Sequence, residues 1–437
     1  MRAINIFLYE YKHFYRNRSK VLAYILFLIA CFYAVFSGTN LQKKQQQTIS
    51  SIEQRQQEAK TKIITWFDEG KKGPEDQPWI DITTPFWAIW NTPTYTVKQP
   101  SALLPLGVGQ AEQYGYYKQV TSWSSTYDND MVEEIANPER LLIGNIDFSF
   151  LVIYLLPILL VILTYNIKGL EQDLNFDRLV HIQSGSTKKW VAARLSFYTL
   201  LLLFTITIFV IVTAVINNAF VNYSSQIPVL LLLSTTYILF WTLVFYIIIL
   251  RSDSSSTQAF KMITFWLLLC VLIPGAVHQF ASIKYPANYM TEYLDANRKE
   301  AYEIFELSPD TLSIKLRKIY PDLARTNYGQ DSVSDQDIIN NSMGALINQM
   351  NKIAIGKIEQ KNDAKNEFII STYWYNPVSF VQNKWNSLTD TDYYAYKTYR
   401  NKVQKSIDKK IELLLFECWE KKKVDKKTYE HYLKILK

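Results

Sequence analysis

Cysteine and histidine are scarce in this 437-residue chain, with three Cys and four His. Cys31 and Cys270 fall inside apolar runs, so Cys418 is the one thiol in a polar segment. No internal disulfide is expected, and any domain outside a membrane must be held by its own core. The His and Cys are widely scattered, which gives no metal-ligand cluster. The phosphate-cradling pattern GxxxxGK followed by Ser or Thr is also absent. The nearest Gly-Lys pairs, Gly70-Lys71 and Gly356-Lys357, lack both the upstream Gly and the following hydroxyl residue. The chain is therefore expected not to hydrolyse ATP itself and to bind no cofactor. There is no GxSxG elbow, and nothing marks an enzyme. No basic patch interleaves with aromatics, so the net charge of +7 does not signal nucleic acid. Many of the Lys residues lie in the C-terminal helical stretch, where a solvated helix face explains them.

What the chain does have is five long apolar runs: 21–37, 148–167, 195–216, 229–250 and 262–280. Each holds about 17–22 mostly apolar residues, enough at roughly 1.5 Å per residue to cross a hydrocarbon core of about 30 Å. The first follows charged, aromatic sequence without a small-residue cleavage site and reads as a signal anchor. The short segments between runs set an orientation. Arg2, Lys12, Arg16, Arg18 and Lys20 precede the first run. Lys168, Arg178, Lys188, Lys189 and Arg194 follow the second, and Arg251 and Lys261 follow the fourth. Segment 217–228 carries no charge. All the basic short segments thus fall on one side, taken as cytoplasmic. The N-terminus is expected inside and the C-terminus outside, with polar blocks 38–147 and 281–437 outside. The run Ile411–Trp419 is too short to span and reads as a buried helix of the outer block.

The fold class expected is an all-α integral membrane protein of about five transmembrane helices, with a large, mostly helical extracytoplasmic domain containing a small β element. Residues 1–20 read as a cytoplasmic interfacial helix: Phe7, Leu8, Tyr11, Phe14 and Tyr15 recur at helical spacing with basic residues alongside. Residues 40–66 read as an exposed helix broken by a Gly/Pro stretch at 70–78. Residues 79–127, rich in Trp, Tyr, Thr and Pro, suggest short strands and loops. Helices are expected over 288–306, 335–370 and 376–437, with a break at 320–330. The acidic residues Asp128, Asp130, Glu133 and Glu134 fit a cation site, but a solvated loop explains them better. The aromatics Trp79, Phe86, Trp87, Trp90, Tyr114, Tyr116 and Tyr117 read as domain core before substrate surface. The middles of the apolar runs hold no Asp, Glu, Lys or Arg, which argues against an ion-coupled carrier and for energy supplied by a partner.

Three stretches carry a family likeness. They are 101–121 (SALLPLGVGQAEQYGYYKQVT), 137–166 with Asn137-Pro138, Gly144, Asp147-Phe148 and Pro157, and 376–404 with Pro377, Gln382, Thr391-Asp392 and Tyr396. In these the chain resembles the permease subunits of ABC-2 type transporters, in the group with a large extracytoplasmic insert between the first two spans. Loop 168–194 is comparable through Glu171, Asp173, Gln183, Lys188, Lys189 and Arg194. Asn175 and Phe176 stand where the group has Gly-Thr, and Ser184 where it has Pro. A sixth span found in many members is missing. The resemblance implies a non-catalytic permease of a bacterial cytoplasmic membrane, an exporter, paired with a second copy or a similar permease. Each would sit on an ABC ATP-binding subunit that holds ATP and Mg. It also implies that loop 168–194 transmits nucleotide state. Leu170, Leu174, Phe176 and Leu179 would pack into the ATPase, and Glu171, Asp173, Asp177 and Arg178 would set register. Membrane lipid is the other expected partner. Two alternatives stay open: ATPase-driven mechanical transmission to a periplasmic partner without substrate passage, and a membrane-anchored scaffold or sensor.

Overall fold

The computed structural model describes residues 3–126, 146–174, 176, 182, 185–252, 254–286, 302–330 and 335–436. The acidic residues at 128, 130, 133 and 134 lie outside that set, as do Asp177, Arg178 and Leu179 and residues 288–301 of an expected helix.

The described chain is mostly helical, with one two-stranded sheet. Helix α1 (Ala3–Arg16) is followed after a single residue by α2 (Arg18–Asp68), whose start is capped by the Asn17 side chain. Then come α3 (Pro85–Trp90) and the strands β1 (Thr94–Val97) and β2 (Tyr117–Val120), antiparallel with Thr94 opposite Val120. Helix α4 covers 148–164 and α5 is the short Gly169–Asp173. Next are α6 (Thr187–Ile216), α7 (Gln226–Leu250) and α8 (Ser255–Lys284). The remainder forms α9 (Pro309–Ile319), α10 (Gln336–Ser371), α11 (Pro377–Leu388), α12 (Tyr393–Trp419) and α13 (Lys426–Ile435).

Five of these helical stretches are long and apolar enough to cross a membrane: Arg18–Asp68, Phe148–Asp173, Thr187–Ile216, Gln226–Leu250 and Ser255–Lys284. They pack into one bundle around Phe148, Leu156, Tyr198, Leu202, Trp241 and Phe245. Its sides stay apolar and uncovered, with Phe32, Phe36, Phe204, Leu232 and Phe260 all more than half exposed. A continuous surface of this kind is unfavourable in water and ordinary in lipid. One end of the bundle collects Lys20, Lys168, Lys188, Arg251 and Lys261, and is called the basic end below. Helix α4 is the most enclosed member, and it is locally widened into a π-turn at Leu151–Leu155. Pro157 has no N–H to give Ile153, so that carbonyl would be orphaned inside the bundle. The Tyr237 hydroxyl donates to it at 2.6 Å, and Trp266 Nε1 donates to the adjacent Tyr154 carbonyl at 3.0 Å. A second π-turn occupies Leu268–Leu272 of α8. Turns of this type mark places where helices bend or work.

Beyond the far end, α2 continues without a break and carries the polar blocks. One core joins α9, α10 and α12 through Leu312, Ile339, Met343, Val403, Ile407 and Trp419. Another joins the tip of α2 to α3, α12 and α13 through Ile63, Ile82, Ile89, Leu414 and Tyr429. Segment Ile411–Trp419 is thus the buried end of α12. Lys410, 4% exposed, clips the hairpin to α12 by donating to the Thr92 and Val120 carbonyls at 3.0 and 3.1 Å, and burial lowers its pKa to about 8. The aromatics of 79–117 divide: Phe86 and Trp87 pack in this core, whereas Trp79 is 64% exposed.

Helix α11 departs from the pattern of the outer blocks. Its Val378, Val381, Trp385 and Leu388 belong to the bundle core itself. The outer block therefore sends a short helix down between the apolar helices, and Tyr154 of α4 donates to Gln382 Oε1 at 2.8 Å.

Candidate functional site

The basic end is organised around a charge that the sequence half conceals. Ile6, Glu10 and Phe14 lie four residues apart and share one face of α1. That face packs on α6, so Glu10 is fully buried. Arg194 Nε and the Tyr198 hydroxyl, both from α6, donate to its two oxygens at 2.5 Å. His13 Nδ1 lies 3.5 Å from Glu10 Oε1. Burial alone would raise the Glu10 pKa. His13, Arg194 and Tyr198 outweigh it and hold the carboxyl at about 2, so it is a carboxylate at any physiological pH.

Arg194 also donates through Nη1 to the Ile167 carbonyl and to Glu171 Oε1, each at 2.6 Å. A single guanidinium, 1% exposed, therefore ties α1 to α6 and to α5. Its planar fork of donors suits that task in a way a lysine would not. Lys20 at the start of α2 adds a further tie, donating to the Leu163 carbonyl at 2.6 Å and to the Tyr198 hydroxyl at 3.1 Å.

Helix α5 is bound just as closely to the other bundle members. Lys168 donates to the Leu250 and Ser252 carbonyls at the end of α7, at 3.3 and 3.0 Å. The Ser255 N–H at the start of α8 donates to Asp173 Oδ2 at 3.4 Å. Gly169 lies so close to Ser255 that an added Cβ would come within 2.4 Å of its backbone nitrogen. Only a glycine permits that approach. Lys168 and α5 together thus touch the basic ends of α6, α7 and α8, beside α4, which leads into them. Of the residues expected to contact a partner, Leu170 is half-buried against this hub, whereas Leu174 and Phe176 are each 55% exposed. Ile182 is also exposed, at 79%.

The expected interfacial stripe of α1 splits in two. Phe7 and Phe14 pack on Phe197 of α6, Tyr11 touches the same ring edge-on while remaining half exposed, and Leu8 and Tyr15 stay exposed beside Lys12 and Arg16. The protein-facing half was legible only as apolar spacing. Glu10, Lys20 and Tyr198 were missed, and the one available signal was an acid in the middle of the Ile6–Phe14 stripe.

At the far end residues of 101–121, 146–166 and 376–404 meet. Asp147 caps α4 through the Phe150 N–H at 2.7 Å and also accepts the Val108 N–H at 2.8 Å. Trp385 Nε1 donates to the Leu106 carbonyl at 2.8 Å, and Thr391 Oγ1 to the Gly107 carbonyl at 3.0 Å. The Gln110 N–H returns to the Thr391 carbonyl at 3.0 Å. Gly38 of α2 completes the joint, since a Cβ there would meet Pro105 Cα at 2.7 Å. Comparison with known proteins gives no relative: no family model, curated protein or solved structure matches the chain. The geometry shows a hub at one end of α4, a tight joint at the other, and a polar block fastened to that joint. Among the described residues no group of His, Cys, Asp and Glu is placed to hold a metal ion.

Proposed function

We propose that this chain is the permease subunit of an ATP-driven ABC-2 type transporter of a bacterial cytoplasmic membrane, exporting its substrate with power from a separate ATP-binding subunit. The observation that carries the reading is the Glu10–Arg194–Glu171 hub. It makes α5 a stiff element connected to four apolar helices, with Leu174, Phe176 and Ile182 left uncovered. Such an element can pass a push from a docked ATPase into the whole bundle. The likeness of stretches 101–121, 137–166 and 376–404 to such permeases supports the reading, and the lack of a P-loop pattern in the sequence is consistent with hydrolysis by a partner.

In this reading the basic end is cytoplasmic and blocks 38–147 and 281–437 are outside, with a second permease alongside. The far-end joint favours one further possibility in particular. Because α4 is bonded at Asp147 and Tyr154 to the outer block, movement of the bundle also moves that block, which suits mechanical transmission to a periplasmic partner.

The test is substitution of the two exposed apolar side chains, Leu174→Asp with Phe176→Asp. Each buried apolar side chain is worth about 1.5–3 kcal/mol, so the ATP-binding subunit should bind at least about 100-fold more weakly. The melting temperature of the isolated permease should be unchanged, because neither side chain is part of its core. Equal retention of the ATPase by wild type and variant would remove α5 as the docking element.

A further inference from the structure

A cleft of about 200 Å³ opens between the lower end of α10, the polar side of α11 and the first turn of α12. We propose that it takes the headgroup of an aminophospholipid, a phosphate and a primary ammonium, from the leaflet on the side of the outer blocks. This rests on the reading of the apolar helices as membrane spans and adds a ligand to it.

Position is the first argument. Helix α11 is wedged into the bundle by Val378, Val381 and Trp385, and Gln382 bonds Tyr154, roughly 10 Å below Asp147 at 1.5 Å per residue. Ile369 at the foot of α10 packs against Val277 and Ala281 near the far end of α8. The α10–α11 turn therefore sits at the boundary between the bundle and the outer block. There Trp374 is 85% exposed, and Tyr375 and Phe380 are also uncovered. These side chains continue the exposed apolar surface of α8, where Phe280 and Ile283 are each 67% exposed. Amphipathic rings at such a level are the pattern of a membrane interface.

Chemistry is the second argument. The cleft presents one cation and one anion on opposite elements. Lys384 of α11 is exposed and makes no ion pair among the described residues. Asp392 uses Oδ1 to cap α12 through the Ala395 N–H at 3.0 Å, and Oδ2 accepts no hydrogen bond among the described residues. Tyr373, Tyr393 and Tyr394 supply ring faces between them, and Asn383 is oriented by donating to the Tyr373 hydroxyl at 2.8 Å. A phosphate suits Lys384 and Asn383. An ammonium suits Asp392 and the tyrosine faces. An anionic headgroup without the ammonium would leave Asp392 facing like charge. The volume suits a headgroup alone, with the acyl chains running down past Phe380 and Trp374.

The experiment is native mass spectrometry of the full chain released from mixed micelles that contain phosphatidylethanolamine, phosphatidylglycerol or phosphatidylcholine of matched acyl chains. The ethanolamine lipid should be retained about tenfold better than either other lipid. Lys384→Gln and Asp392→Asn should each reduce its retention to the level of the others. Asn keeps the helix cap, so D392N should fold. Equal retention of all three lipids, or retention unaffected by both substitutions, would overturn the site, and preference for phosphatidylglycerol would overturn the role of Asp392. Flotation with lipid vesicles separates the two levels of failure. Protein that does not float contradicts the spanning reading, whereas protein that floats without headgroup preference contradicts only the cleft.

Discussion

Arg194→Leu is expected to destabilise the protein by about 3–5 kcal/mol, the usual cost of leaving a buried charge without its partner. Glu10 is fully buried and would keep only Tyr198 and His13. The Ile167 carbonyl would lose its donor and Glu171 its cation. The cheapest relief is for α1 to swing away and hydrate Glu10, which also strips Phe7 and Phe14 from Phe197. Limited trypsin digestion should therefore cut at Lys12 and Arg16 in the variant well before the wild type. Glu10→Leu combined with Arg194→Leu should cost less than the two single changes added together, because the pair is removed as a unit. Additive costs in the thermal or denaturant unfolding of the four proteins would show that the hub is not an energetic unit.

The second large effect is expected at the other end of α4. Asp147→Ala removes the helix cap, worth about 0.5–2 kcal/mol. It also leaves the buried Val108 N–H unpaired, at about 1–3 kcal/mol. A total of about 1.5–5 kcal/mol should appear in unfolding measurements. Asp147→Asn should recover the cap through Oδ1 but not the Val108 bond, since the amide nitrogen that replaces Oδ2 cannot accept a hydrogen bond. Functionally, D147A should still bind the ATP-binding subunit, because that contact lies at the basic end. It should lose the nucleotide-dependent change in distance between labels on α5 and on the outer block. A D147A protein that retains that change would mean that the outer block follows the bundle through some other route.

The parts of this architecture legible in the sequence are those fixed by local pattern. Long charge-free runs gave the five apolar helices, and Gly70 with Pro74 and Pro78 gave the end of the helix that leaves the first. The α1 stripe was visible as spacing, yet spacing does not say what a face packs against. Phe7 and Phe14 pack into protein, Tyr11 reaches Phe197 only by its edge, and Tyr15, from the same stripe, stays exposed. Helix α11 was the least legible element. Val378, Val381, Trp385 and Leu388 form an amphipathic stripe that would serve equally in a water-soluble domain, and only the long-range contact with α4 assigns it to the bundle. The hub was hidden for the same reason. Glu10 and Arg194 are 184 positions apart, and each alone resembles an ordinary surface charge. The joint at Asp147 was partly legible, because Asp147 and the stretches 101–121 and 376–404 stood out in the sequence and converge there.

The most direct test of the central claim is to find which parts of the chain share a side of the membrane. Gln47→Cys, Lys189→Cys and Lys427→Cys would be made singly in a chain whose Cys31, Cys270 and Cys418 are replaced by Ala. All three chosen positions are exposed. In sealed vesicles of known orientation, a membrane-impermeant maleimide should reach position 189 only from the face that carries ATP. It should reach positions 47 and 427 only from the opposite face. Labelling of 189 from the same face as 47, or of all three from both faces, would contradict an ATP-driven element at one end of the bundle with the polar blocks at the other.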